Sequence, residues 1–108
     1  MDIERATTAF EAIRATQHKS LRHDLLRAAV NYAHHRAEWS LAEPEQRREM
    51  DQARTAAHNA FIDACNILNR QMTKSGEPTG WRETLVTDRK EIGDFACFVT
   101  MFVGLAAR

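Results

Sequence analysis

The chain has 108 residues, enough for one domain around a single core, and it carries 15 basic against 15 acidic side chains. That balance excludes a general electrostatic pull toward nucleic acid or an anionic membrane, so a charge-driven partner must meet a local patch. Cys65 and Cys97 stand alone without CxxC spacing, which excludes the paired-thiol metal and redox motifs.

The opening MDIERATTAFEAIR puts charges where a secretory signal needs an apolar run, so a cytoplasmic, reducing location is expected. Ile3, Ala6, Phe10 and Ile13 recur at steps of three and four, the period of an amphipathic helix, and the apolar face fails at Gln17-His18-Lys19-Ser20. A first helix over 3–17 is predicted, with Ser20 capping the next. Leu21, Leu25, Ala28, Tyr32 and Trp39 carry the rhythm to residue 40. A helix unbroken from 3 to 40 would be about 55 Å long, so a break or kink is expected near 16–20.

Ser40-Leu41-Ala42-Glu43-Pro44 reads as a short turn, because Pro44 suits the first helical position and Glu43 and Glu45 suit the positive end of the dipole. The third helix, 44–74, has the apolar stripe Met50, Ala53, Ala57, Phe61, Ala64, Leu68 and Met72, and Gly76 stands just past its end. EPTGWRETLV reads as a loop with room for one turn of helix. Thr87 then caps a last helix over 88–107, with Asp88 in its first turn. The fold class is all-α: an antiparallel bundle of four helices (3–17, 20–40, 44–74, 88–107), or three if the first two are continuous, in one domain spanning 1–108.

The last helix contains GDFACFVTMFVG. Its apolar run from Ile92 to Ala107 is 16 residues with Asp94 inside it, whereas a membrane span takes about 20, so a core helix and no membrane contact are expected. Gly93, Cys97, Thr100 and Gly104 form a seam of small residues on one face, and Phe95, Phe98, Phe102 and Leu105 form a bulky second face. A small monomer has little with which to cover both. A homodimer or a protein partner seated on this helix is therefore expected, with Phe98, Phe102 and the seam at the interface.

Among the polar residues, Thr55, Asn59, Asp63, Asn66 and Arg70 make a stripe on the third helix that is either a solvated face or a hydrogen-bonding one. An antiparallel pairing about a loop centred near Trp81 sets Cys65 level with Cys97, both buried and reduced, and sets Asp94 opposite about position 68. A carboxylate in an apolar helix needs a partner, so Arg70 is expected to pair with Asp94, with Asn66 or Asn69 adding a hydrogen bond; Asn59 and His58 extend the same polar cluster. Five histidines raise a metal hypothesis, since His34 and Glu38 stand at i and i+4. A hairpin centred near Ala42 brings His58 to the level of His23 and Arg27, making His23, His58 and Asp63 the candidate ligands. The Glu-x-x-His pattern of di-iron bundles is absent, and neither a metal nor another cofactor is expected.

Arg14, Lys19, Arg22, Arg27 and Arg36 face one acid, Asp24, between residues 14 and 36, a basic strip that offers nucleic acid as an alternative partner. No DNA-binding motif, RNA-binding aromatic motif, nucleophile signature or Gly-rich phosphate loop accompanies it. A non-enzymatic protein acting by self-association or protein binding is the expectation, with a nucleic-acid accessory protein or a metal-dependent enzyme as alternatives. The runs RTAAHNAFIDACNILNR (54–70), Trp81-Arg82 and DRKEIGDFAC (88–97) resemble segments of small uncharacterised bacterial helical proteins classed as domains of unknown function. The resemblance covers the C-terminal half and implies no established activity.

Overall fold

The computed structural model describes residues 2–85 and 89–106, and the chain folds into helices α1 (Ile3–Arg14), α2 (Lys19–Leu41), α3 (Pro44–Lys74), α4 (Gly80–Thr84) and α5 (Arg89–Ala106). Among the described residues there is no strand. Thr87 and Asp88, expected to open the last helix, lie outside those residues.

The helix ends follow from local chemistry. Asp2 caps α1, its Oδ1 accepting from the Glu4 N–H at 2.9 Å. The break expected near 16–20 falls at residues 15–18, where Thr16 turns inward at 3 % exposure and its Oγ1 accepts from the His18 N–H at 3.2 Å. Ser20 is therefore not the cap. His18 holds that position, its carbonyl accepting the first α2 bond from Arg22 N–H at 3.0 Å, and Ser20 lies inside the first turn. Pro44 opens α3 as expected, and Gln46 Oε1 accepts from the Glu43 N–H at 3.3 Å. Arg47 then reaches back to donate to the carbonyls of Trp39 and Ser40, at 3.1 and 3.0 Å, closing the exposed acceptors at the end of α2. Gly76 ends α3 at φ +76°, with Glu77 N–H donating to Met72 O at 2.9 Å and Gly76 N–H to Thr73 O at 3.2 Å, a Schellman closure that an L side chain would strain.

Helix α2 is the central element. It packs antiparallel to α3, with Trp39 beside Arg47 and Arg54, and Tyr32 beside His58 and Phe61. Helix α5 packs chiefly on α2 rather than on α3. It too runs antiparallel to α2, for Lys90 shares a cleft with Trp39 and Ser40 while Asp94 meets Arg36. Consequently α5 and α3 run the same way, with Phe61 and Phe95 ring centroids 6.3 Å apart. α1 joins them: Arg5 lies 3.9 Å from Glu91, and Phe10 stacks on Phe102 at 4.9 Å. The expected antiparallel hairpin between the third and last helices is thus replaced by a parallel pair. The connection passes α1, on which α4 packs, and α5 starts beside the end where α3 began. About 14 residues can span up to roughly 46 Å when extended, against roughly 30 Å of α3 between Arg54 and Lys74, so this loop does not force a hairpin.

Ile13, Leu25, Phe61, Leu68, Met72, Leu85, Phe95 and Val99 are fully buried. Small residues, Ala6 and Ala9 on α1, Ala29 on α2 and Ala96 on α5, fill the inner positions where backbones converge. Ile3, expected on the buried stripe of α1, is 68 % exposed, because the face turns on Ala6, Ala9 and Ile13 instead. No described helix is long and apolar enough to cross a membrane.

Candidate functional site

Asp94 finds its partner on α2. Its Oδ1 lies 3.0 Å from Arg36 Nη1, and both side chains are less than a third exposed, at 29 % and 28 %. The expected partner, Arg70, is exposed on α3, and the reason is topological: α5 lies on α2, so the guanidinium within reach belongs to α2. The same Nη1 donates to Cys97 Sγ at 3.6 Å. Gly93 completes the arrangement, since a Cβ there would stand 2.9 Å from Arg36 Cζ. The small residues Gly93 and Cys97 therefore make room for an arginine of the same chain. Thr100 turns its hydroxyl to its own helix, donating to Ala96 O at 2.8 Å, and Gly104 and Leu105 lie outside the residues whose packing is described. Burial would lower the pKa of Arg36, but the hydrogen bonds and negative charge of Asp94 and Cys97 outweigh it and raise the pKa above its ordinary value.

Beside this pair a cleft of about 290 Å³ opens between α2, α3 and the start of α5. Arg36, Trp39, Arg54, His58 and Lys90 line it, with no carboxylate among the described lining residues. Trp39 carries two guanidinium groups against its ring, Arg47 at 4.6 Å and Arg54 at 4.4 Å from the centroid. Arg54 gives its Nη2 to Asp51 at 2.7 Å, while its Nε is buried with no hydrogen-bond partner. His58 is 7 % exposed and packs edge-on against Tyr32 at 5.3 Å. Its Nδ1 is 3.2 Å from Asn59 Oδ1, and its Nε2 is buried with no hydrogen-bond partner.

The other expected site residues are dispersed. His58 meets Tyr32 rather than His23, because the α2–α3 contacts place it farther along α2 than a turn centred on Ala42 implies; His23 and Asp63 are exposed. Among the described residues no three His, Cys, Asp or Glu side chains come together as a metal site. Asn66 accepts from Arg82 Nε at 2.7 Å, and Asn69 Oδ1 is buried without a partner, so neither supports Asp94 as expected. Asn59, Asp63, Asn66 and Arg70 are exposed, which makes the polar stripe of α3 largely a solvated face. The basic strip is interrupted: Arg36 is paired with Asp94, and Arg22 donates to Arg14 O at 2.7 Å. Cys65 is buried, and burial pushes its thiol up to about 12 against a small opposing pull from Arg82. Cys97 is only half-buried, contrary to the expectation for it. Phe98 and Phe102 both pack on Phe10, at 6.5 and 4.9 Å, yet Phe102 remains 38 % exposed and Met101 67 %.

Periodicity singled out Trp39 but neither Arg54 nor Lys90. A signal existed for Arg54: across so short a turn Trp39 stands level with Arg47, and Arg54 lies two helical turns beyond on the same face. Lys90 had none, because its place depends on where α5 docks. No family model, curated protein or solved structure matches the chain.

Proposed function

We propose that this chain is a non-enzymatic, cytoplasmic helical protein that acts by self-association, two copies meeting at the C-terminal end of α5. The observation that carries the reading is the apolar surface of that end, where Met101 is 67 % and Phe102 38 % exposed. Val30 of α2, 38 % exposed, supports it, because with Arg36 opposite Asp94 the antiparallel register brings Val30 level with Thr100. Scattered apolar side chains are common on monomers, but two adjacent ones near the end of α5, at the level of a third on the neighbouring helix, are more than a monomer needs to expose there. Two free cysteines suit a reducing compartment. A heterologous protein on the same patch is the other occupant.

Sedimentation equilibrium at micromolar concentration tests the reading with wild type and Met101→Glu, a change at an exposed position that leaves the core intact. Wild type is expected to sediment as a dimer and the variant as a monomer of unchanged helicity. A monomeric wild type would refute self-association.

A further inference from the structure

We infer that the cleft between Trp39, Arg54, His58 and Lys90 binds a protonated tetrahedral oxyanion, hydrogen phosphate either free or as a monoester. Among the described residues the lining holds three cations, Arg36, Arg54 and Lys90, beside neutral polar and aromatic side chains, and no carboxylate. Asp94 compensates Arg36 and Asp51 compensates one edge of Arg54, but Lys90 has no acidic partner among the described residues, and Arg54 Nε keeps an unused N–H. The carbonyls at the end of α2 would repel an anion here, and Arg47 occupies those of Trp39 and Ser40. The opposite end effect favours one, for α5 begins at Arg89 and Lys90 stands in its first turn. At about 290 Å³ the cleft has room for an oxyanion with a small substituent.

His58 selects among anions. In the tautomer whose Nδ1–H donates to Asn59 Oδ1, the buried Nε2 of this cleft residue is left with a lone pair. An occupant must therefore offer oxygens to Arg54 and Lys90 and an O–H to His58. Hydrogen phosphate does both, whereas sulfate has the same shape and no proton. A site built around a hydrogen bond discriminates against the analogue lacking it, because its own polar atom is then left unpaired.

Calorimetric titration of the full chain at constant ionic strength and about pH 6, where a phosphate monoester keeps a large share of its P–O–H, with inorganic phosphate, glycerol phosphate and sulfate, tests this. Phosphate or glycerol phosphate should bind about tenfold more tightly than sulfate. Tighter binding of the ester identifies an organic phosphate as the occupant; tighter binding of the inorganic ion identifies the free anion. Lys90→Ala should weaken phosphate and sulfate alike by about threefold. His58→Phe should erase the preference over sulfate while sulfate affinity stays within about twofold of wild type. Should that variant not fold, the imidazole nitrogen resonances of wild-type His58 give the same reading, with Nε2 responding to phosphate and not to sulfate. Equal affinity for phosphate and sulfate, or no binding of either phosphate probe, overturns the inference.

Discussion

A carboxylate placed among phenylalanines states a need without naming what meets it. Asp94 meets it with Arg36, and since both side chains are less than a third exposed the pair should lie between exposed and buried ion pairs in strength. Asp94→Asn is expected to lower stability by about 1–2 kcal/mol in chemical denaturation. A double-mutant cycle locates the interaction: Asp94→Asn should couple to Arg36→Met and show no coupling to Arg70→Met, the reverse result assigning the carboxylate to α3. The need for a partner was legible in the residue types. Its identity was not, because Arg36 and Arg70 are equally capable chemically and only the packing of α5 on α2 chooses between them. The two thiols divide in the same way. Cys65, fully enclosed and held up to about 12, should resist alkylation in the native state at neutral pH, while half-buried Cys97 reacts once per chain and Cys65 follows only on unfolding. Mass spectrometry of the alkylated native protein checks this, and modification at Cys65 before Cys97 would contradict it.

Elements begin and end where single residues make them, and most of these signals sit in plain view. Pro44 opens α3, and Gly76 closes it by taking a backbone conformation open to glycine. The break between α1 and α2 was legible as a lapse of the apolar period at Gln17 to Ser20, but not its chemistry, since that uses groups 60 positions away. Glu77 Oε1 accepts from the Gln17 N–H at 3.0 Å, while Oε2 accepts from Ser75 Oγ at 2.9 Å and lies 3.3 Å from His18 Nε2. Slight burial pushes the Glu77 carboxyl up. The hydrogen bonds from Ser75, Gln17 and Thr16 and the charge of His18 outweigh this and hold it below the ordinary carboxylate range. A depressed folded-state pKa contributes stability that is present above the unfolded value, about 4.3, and is lost as pH falls through the folded value. Glu77→Gln should therefore melt a few degrees below wild type at neutral pH, with the difference shrinking as pH drops below the ordinary carboxylate range. Melting curves across that window test the knot between the α1–α2 break and the end of α3; a difference independent of pH would assign the loss to packing alone.

Over the whole molecule, the helices were legible and their directions were not. Periods of three and four mark which face of each helix is buried, and they hold whether a neighbour runs parallel or antiparallel. Short loops decide direction where they exist: the turn at Ala42 and Glu43 leaves α2 and α3 no choice but a hairpin. Residues 75–88 are long enough to permit either a hairpin or a return along the bundle, and the buried Trp81 and Leu85 favour the return by giving the connection apolar side chains of its own to place in the core. Three lysines report the outcome without any substitution. Lys74 ends α3, Lys19 begins α2, and both belong to the end of the bundle where His18 contacts Ser75 at 2.9 Å. Lys90 belongs to the other end, beside Trp39 and Ser40. Between the levels of Arg54 and Lys74 lies roughly 30 Å of helix. An antiparallel hairpin of α3 and α5 would set Lys74 and Lys90 almost level across the loop, whereas the parallel arrangement separates them by roughly 30 Å, about two-thirds of α3. Lys74 lies near Lys19 in either case, through the α2–α3 hairpin, and their link serves as the control. A short amine-reactive cross-linker applied to the native monomer fraction should thus join Lys19 to Lys74 and leave Lys90 unlinked to Lys74. The opposite pattern, a dominant Lys74–Lys90 link between residues so near in sequence, would return α5 to an antiparallel hairpin with α3 and would dismantle the cleft at Lys90 along with it.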